Sequence, residues 1–322
     1  MAEMMAARDA FGQALVDLGA VNERVVVLDA DLATSTKASL FAAAYPGRFL
    51  EVGIAEQNMM SIAAGLAAMG FIPFTSTFAC FASKRATDQI RVGIAQPRLG
   101  VKITGAYSGL LAGKTGKTHQ SVQDLAIFRS MPHLTVVVPG DAIEVRKAVF
   151  ATAEHDGPVY LRLTRDPSPV IFADDYDFRI GRAVTVREGG DVTVVTTGLM
   201  LPRALEAADQ LLFEGVKAHV LHMPTVKPLD AEALVASAER TGLVVTAEEH
   251  SILGGLGGAV AEVLAEHRPT LMKRVGIADR YAESAPNDSL LEKYGLTAAH
   301  IVQACWSVID AAQVLESPAA HA

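Results

Sequence analysis

Two α/β domains, each on a mostly parallel sheet, are what this sequence predicts, and three observations carry that expectation. The chain has 322 residues, enough for two domains of ordinary size. Short β-branched runs alternate with amphipathic stretches along nearly all of it, which is the rhythm of strand–helix layering. That rhythm stops once, between Arg165 and about Gly190, where Asp166-Pro-Ser-Pro169 and the acidic Ala173-Asp-Asp-Tyr-Asp177 read as a connector. The domains are therefore expected at 1–170 and 191–322, with 171–190 linking them.

In the first domain Val25 to Leu28 is a β-branched run closed by Asp29, hence a strand. Thr36 to Ala44 reads as helix, Phe49 to Val52 as strand, and Met59 to Ala68 as a helix of small residues buried on most sides. Phe71–Thr75, Leu99–Thr104, Leu134–Val138 and Val159–Leu163 have strand character, with helices at Lys84–Ala95 and Ala142–Glu154 between them. In the second domain strands are expected at Val192–Thr196, Lys217–Leu221, Leu243–Thr246 and near Met272–Gly276. Helices fall near Leu201–Glu214, Asp230–Arg240, Gly258–Glu266 and Ala298–Ala311. There is no short-period repeat and no low-complexity segment.

Composition excludes several functions. Half the residues are hydrophobic and 20% are charged, ordinary globular values. The net charge of -8 argues against general nucleic-acid affinity, which needs a basic face. The amino terminus has no apolar leader run, and Met59 to Phe74 is broken by Ser61, Gly65, Gly70 and Pro73, so no bilayer span is expected. Two cysteines, Cys80 and Cys305, fit a reducing compartment. A cytoplasmic protein is the expectation, and because the histidines form no ligand cluster, no metal held by this chain alone.

Chemistry enters at Gly53-Ile-Ala-Glu56-Gln-Asn58. Glu56 falls in the first turn of a helix, where an acid simply complements the dipole. It also stands just past a strand end, where α/β folds put their ligands. Spacing alone leaves both readings open.

An ordered set of motifs bears on the choice. Asp29-Ala-Asp-Leu-Ala-Thr-Ser35, Arg48 to Asn58, Thr77-Phe-Ala-Cys-Phe81 and Gly116-Lys-Thr-His-Gln120 follow one another. Phe128 to His133, Val138-Pro-Gly-Asp141, Leu163-Thr-Arg165, Ile252 to Gly257 and Glu292 to Leu296 come after them. Together they resemble the transketolase family: a pyrimidine-binding domain followed by the transketolase C-terminal domain, over nearly the whole chain. Deoxyxylulose-phosphate synthase and the β-subunits of 2-oxo-acid dehydrogenases share parts of the set.

The resemblance implies a thiamine-diphosphate enzyme that moves a two-carbon ketol unit from a ketose phosphate to an aldose phosphate. It makes Glu56 the acid that hydrogen-bonds pyrimidine N1′ and promotes the imino tautomer, whose imine deprotonates thiazolium C2. It makes Phe78 and Phe81 the aromatic pair beside the cofactor, with core packing the plain alternative for both. His119 matches the family's active-site histidine, and Asp31 a position near the thiazolium. Arg8, Ser35 and Arg165 fall where the sugar phosphate is bound, a role suited to the arginine fork, though each read singly is an ordinary surface residue.

The chain departs from the family at Lys114-Thr115-Gly116-Lys117, where an acid usually precedes the glycine, and at Thr104-Gly-Ala-Tyr107, where a histidine is usual. Those groups contact sugar hydroxyls and phosphate in the family, so an unusual or branched pentulose phosphate is a candidate substrate. Gly254-Gly-Leu-Gly-Gly258 has the look of a phosphate loop but lacks the dinucleotide fingerprint and any Walker lysine.

The family's Gly-Asp-Gly…Asn segment, which holds the diphosphate through Mg2+ or Ca2+, does not occur; Pro139-Gly-Asp-Ala142 is the nearest string. The diphosphate-binding domain is expected on a partner subunit, in an α2β2 assembly. The competing readings are a 2-oxo-acid dehydrogenase β-subunit, a deoxyxylulose-phosphate-type condensation and a non-catalytic regulatory subunit.

Overall fold

Residues 3–316 are described by a computed structural model of the chain, so the outermost ends of the two expected domains lie outside it. The first half runs β1 (Met4–Ala6), α1 (Ala7–Val21), β2 (Val25–Asp29), α2 (Ala33–Thr36), α3 (Ser39–Ala44), β3 (Phe49–Glu51), α4 (Glu56–Ala68) and β4 (Ile72–Phe78). It continues with α5 (Ala79–Lys84), α6 (Thr87–Gln89), β5 (Lys102–Ala106), α7 (Asp124–Arg129), β6 (Thr135–Val137), α8 (Ala142–Glu154), β7 (Val159–Arg162) and β8 (Pro167–Pro169). The second half runs β9 (Val184–Arg187), β10 (Val192–Thr196), α9 (Met200–Phe213), β11 (Ala218–His222), β12 (Thr225–Lys227) and α10 (Ala231–Thr241). It ends with β13 (Leu243–Ser251), α11 (Leu256–His267), β14 (Leu271–Ile277), α12 (Asn287–Lys293) and α13 (Ala298–Glu316).

Two sheets organise these elements, and a short antiparallel ribbon joins β1 to β8. A seven-stranded sheet has the order β12-β6-β7-β5-β4-β2-β3, parallel except for β12. A five-stranded sheet has the order β14-β13-β10-β11-β9, parallel except for β9. The central strands β2, β4, β5, β7, β10 and β11 are buried throughout, as runs covered on both faces must be.

Several elements depart from the sequence reading. The helix expected over Thr36–Ala44 is two short helices, because Lys37 turns left-handed at φ 69°. The one expected over Lys84–Ala95 begins earlier, breaks after Lys84, and ends as a π-helical turn over Ile90–Ala95. Helix α1 has no clear periodic signature in the sequence: Phe11, Leu15 and Leu18 set its buried side, but alanines and glycines blur the period around them.

The connector is also shorter than 171–190. Val184–Arg187 pairs with β11 as an edge strand of the second sheet. Ahead of it the chain is pinned to α8: the amides of Ile171 and Phe172 donate to Asp141 Oδ2 at 2.7 and 2.8 Å, and the Tyr176 hydroxyl donates to Glu144 Oε1 at 2.8 Å. Asp141 is itself the N-cap of α8, accepting from the Glu144 amide, so Pro139-Gly-Asp-Ala142 does structural work here.

The two halves are not closed units. Strand β12 leaves the second half and pairs antiparallel with β6 of the first sheet. One apolar cluster holds Met59, Ile90, Phe128 and Tyr160 from the first half with Val195, Leu221, Val244 and Val260 from the second. Each such fully buried side chain contributes about 1.5–3 kcal/mol.

A buried polar knot crosses the same boundary. Arg162 Nε donates to Asp124 Oδ2 at 2.7 Å, Arg162 Nη2 donates to the Glu249 carbonyl at 3.0 Å, and the Tyr160 hydroxyl donates to Asp124 Oδ2 at 2.7 Å. Burial, the largest single influence, would raise the Asp124 pKa, but Arg162, His250 and the Tyr160 hydrogen bond together outweigh it and hold the carboxyl below its usual range. Glu249 Oε1 in turn accepts from the amides of Leu110 and Leu111, and burial pushes this carboxyl up.

The glycine-rich 254–258 segment is explained by Glu248, whose carboxylate accepts from the amides of Leu256 and Gly257 at the start of α11. A Cβ on Gly255 would sit 2.0 Å from Glu248 Oε2. The helix start that would serve a phosphate is filled by the chain's own acid.

Candidate active site

The carboxyl ends of the parallel strands in the first sheet converge on one edge. Asp29 closes β2, Glu51 closes β3, Phe78 closes β4, Tyr107 follows β5 and Arg165 follows β7. This is the edge at which open α/β sheets bind ligands.

Glu51 ties two of these tips together. Its Oε1 accepts from the amides of Asp31 at 2.8 Å and Gly53 at 2.9 Å. Both donors sit in the left-handed region, at φ 61° and 71°, which glycine adopts freely and aspartate tolerates. The turn at Gly53 then launches α4 with Glu56 as its first residue.

Glu56 is completely buried. Its Oε2 accepts from Arg85 Nη1 at 2.7 Å, and Thr77 Oγ1 reaches its Oε1 at only 3.4 Å. The strong partner of this carboxylate is thus Arg85, and its second oxygen is held only by a long contact.

Aromatic rings continue from there. Phe78 and Phe81 stack at 5.9 Å with planes 20° apart. His119 meets both edge-on, 6.1 Å from Phe78 and 5.4 Å from Phe81. Its Nδ1 lies 2.9 Å from the Thr118 hydroxyl, which leaves the other ring nitrogen for a ligand.

Tyr107 stacks on Phe78 as well, at 4.2 Å. It also gathers the basic residues. Arg8 Nη1 donates to the Tyr107 hydroxyl at 2.9 Å and to the Ser35 carbonyl at 3.2 Å. The guanidinium carbons of Arg8 and Arg165 lie 5.8 and 5.3 Å from the Tyr107 ring centroid. Nε of each arginine is buried without a hydrogen-bond partner, a state that costs free energy until an acceptor arrives. Next to Arg165, a cavity of about 460 Å³ is lined by Lys114, Arg165, Asp166, Pro286, Asn287 and Asp288.

The structure therefore gathers Glu56, Phe78, Phe81 and His119 at one end of an aromatic path, and Arg8, Ser35 and Arg165 at the other. Ser35 meets Arg8 through its backbone carbonyl. Asp31 stands at the rim with an exposed side chain and joins the site through its amide. Lys114 and Lys117 are exposed.

Two members were invisible as functional residues in the sequence. Tyr107 marked only a missing histidine, yet its ring bridges Phe78 and both arginines. Arg85 lies four residues after Phe81, a spacing that puts both on one helical face, with the guanidinium carbon 4.4 Å from the Phe81 centroid.

Asp29, behind these groups, is buried at the tip of β2. It accepts from the Leu32 amide at 2.5 Å and the Thr36 hydroxyl at 3.1 Å. Burial outweighs both hydrogen bonds and pushes its carboxyl up to about 7.

These residues suit the aminopyrimidine end of thiamine diphosphate: a buried carboxylate is joined, through the partly exposed Arg85 guanidinium, to aromatic rings that accept a planar heterocycle. Among the described residues no group of three or more His, Cys, Asp or Glu could hold a metal ion. Among them, too, no helix is long and apolar enough to cross a membrane.

The chain is similar to known proteins over nearly its whole length. The transketolase pyrimidine-binding domain matches residues 3–169, and the transketolase C-terminal domain matches residues 181–301. A 6-deoxy-6-sulfo-D-fructose transketolase subunit from Clostridium sp. (strain MSTE9) is 45% identical over 94% of each chain. An apulose-4-phosphate transketolase subunit from Phocaeicola vulgatus is 36% identical over 91% of this chain and 94% of its own. A solved split-gene transketolase, an inactive beta4 tetramer, is 51% identical and superposes with a TM-score of 0.90 over 95% of this chain and 99% of that one.

Proposed function

This chain belongs to the transketolase family, and from that premise we propose that it is the β-type subunit of a split, thiamine-diphosphate-dependent transketolase, active only with a partner. The observation that carries the reading is one continuous path from the buried Glu56, through Arg85 to Phe81, Phe78 and Tyr107, and on to Arg8 and Arg165. A carbon–carbon transferase acting on anionic sugars needs an acid at the cofactor end and cations at the substrate end.

When bound, thiamine diphosphate supplies a thiazolium centre that stabilises the charge left by cleaving a ketose carbon–carbon bond. Everything else is the work of this chain and its partner. Glu56, desolvated at the head of α4, holds a proton shared with pyrimidine N1′. Phe81 offers a ring face to the pyrimidine, and Phe78 backs it. His119 would reach the substrate oxygens next to the reacting carbon, and Asp31 would face the thiazolium side of the bound cofactor. Arg8 and Arg165, placed by Ser35 and Tyr107, grip the terminal anion of the sugar with charge-assisted hydrogen bonds.

Diphosphate and divalent metal, Mg2+ or Ca2+, fall to the N-terminal-type subunit in an α2β2 assembly. Support comes from relatives that match this chain over nearly their whole length and are themselves subunits. Their substrates carry a sulfonate in one case and a phosphate in the other, and either anion suits the arginine pair. We read the substrate here as a non-standard ketose with an anionic end, such as an unusual or branched pentulose phosphate, because the Lys114–Lys117 loop lacks the family's acid. The cytoplasm suits such metabolism and suits two free, buried cysteines.

The test is to copurify the chain with its partner, sought as a Gly-Asp-Gly…Asn polypeptide, and to screen phosphorylated and sulfonated ketoses as donors. Transfer to an aldose phosphate is expected from the complex and not from either chain alone. Tight stoichiometric binding of thiamine diphosphate by this chain alone would refute the split-enzyme reading.

A further inference from the structure

We propose that Arg85 is a placeholder that occupies the aminopyrimidine seat until the cofactor enters and displaces it. The proposal rests on the reading above, which gives the pyrimidine ring two contacts: a hydrogen bond to Glu56 and a stack on Phe81. One planar group of the chain's own makes both contacts. Arg85 Nη1 donates to Glu56 Oε2 at 2.7 Å, and the guanidinium carbon lies 4.4 Å from the Phe81 centroid. The guanidinium is flat, carries N–H donors and stacks on aromatic faces, as a protonated aminopyrimidine does.

Phe78 lies near-parallel to Phe81 at 5.9 Å, and His119 stands at a steep angle to it at 5.4 Å. The Arg85 guanidinium lies over the Phe81 ring, where a stacking ligand would have to lie.

The arrangement has a physical use. Glu56 is 0% exposed, and a buried carboxylate without a partner is strongly unfavourable. Arg85 supplies that partner in the empty chain. It is also able to leave, because its side chain is 43% exposed and follows the last turn of the short helix α5. The half-exposed ion pair and the cation–π contact together make the seat available for only a fraction of the time, and apparent affinity falls by that fraction.

The experiment is calorimetric titration of the reconstituted complex with thiamine diphosphate at saturating Mg2+. Arg85→Ala is expected to tighten binding on the order of tenfold. It should also lower the melting temperature of the empty complex while sparing that of the loaded one. Arg85→Met keeps the aliphatic stem and serves if alanine impairs folding. In the wild-type complex, phenylglyoxal labelling of Arg85 followed by mass spectrometry should rise when cofactor is added, because the guanidinium is released to solvent.

Cofactor binding that is unchanged or weaker in both variants, or labelling that falls on loading, would overturn the placeholder. Glu56→Gln and Phe81→Ala serve as controls for the parent reading. If neither alters cofactor affinity, it is the assignment of the seat itself that fails, whatever Arg85 does.

Discussion

Replacing Asp29 by asparagine should change how stability depends on pH, and the structure sets sign and size. The carboxyl is buried at the tip of β2, with a pKa pushed from 3.8 to about 7. Between these values the folded chain retains a proton that the unfolded chain has released. Stability contributed by this site therefore falls as pH rises from about 4 and levels off above about 7. Three pKa units correspond to about 4 kcal/mol, an upper figure for the loss at pH 8. Asparagine has no proton to lose. Its oxygen can still accept from the Leu32 amide, and its amide can donate to the Thr36 hydroxyl, so the local turn survives. Urea unfolding at a series of pH values from 4.5 to 8.5 measures the difference. The variant should match the wild type near pH 4.5 and exceed it by a few kcal/mol at pH 8. Parallel curves for the two proteins would show that Asp29 is ionised throughout and that its hydrogen bonds, not burial, control it.

Three further outcomes are expected. Arg165→Ala should weaken turnover of a phosphorylated ketose by about 1.5–3 kcal/mol, roughly 10- to 150-fold, and barely affect hydroxypyruvate; equal loss with both donors in steady-state kinetics would make Arg165 structural. Glu56→Gln should preserve assembly yet slow hydrogen–deuterium exchange at cofactor C2 on the order of a hundredfold or more, followed by NMR in the complex; wild-type exchange would remove Glu56 from the proton relay. Arg162→Met should destabilise the chain by about 3–5 kcal/mol in chemical denaturation, because it strands the buried Asp124 carboxylate; a change below about 1 kcal/mol would mean that Asp124 takes up a proton at little cost.

The parts legible in the sequence were those with local causes. Val25–Leu28, Val159–Leu163 and Val192–Thr196 are dominated by β-branched, aromatic and large apolar residues, and Ala142–Glu154 announces its own N-cap at Asp141. Elements that depend on distant partners stayed hidden. Strand β12 is only Thr225–Lys227 and exists because β6 offers it an edge. Helix α1 is held by packing of Phe11 and Leu15 more than by periodicity. At the candidate site, ordered motifs singled out Glu56, Phe78, Phe81, His119, Arg8, Ser35 and Arg165, and their gathering at one sheet edge is a three-dimensional fact. Arg85 and Tyr107 were silent because their contacts reach across 29 residues to Glu56 and Phe78 and across 99 to Arg8.

Strand β12 also bears on where such a gene can be cut. A break in the reading frame within the connector would look harmless in sequence, since Pro and Asp crowd there. It would separate β6 from the strand that covers it, leaving Thr135–Val137 as a bare, fully apolar-flanked edge. It would also part Arg162 from the Glu249 carbonyl and the Leu110 and Leu111 amides from their carboxylate. Each piece would expose what the other was built to cover. A shuffled first half would keep its sheet edge covered only if Thr225–Lys227 came with it.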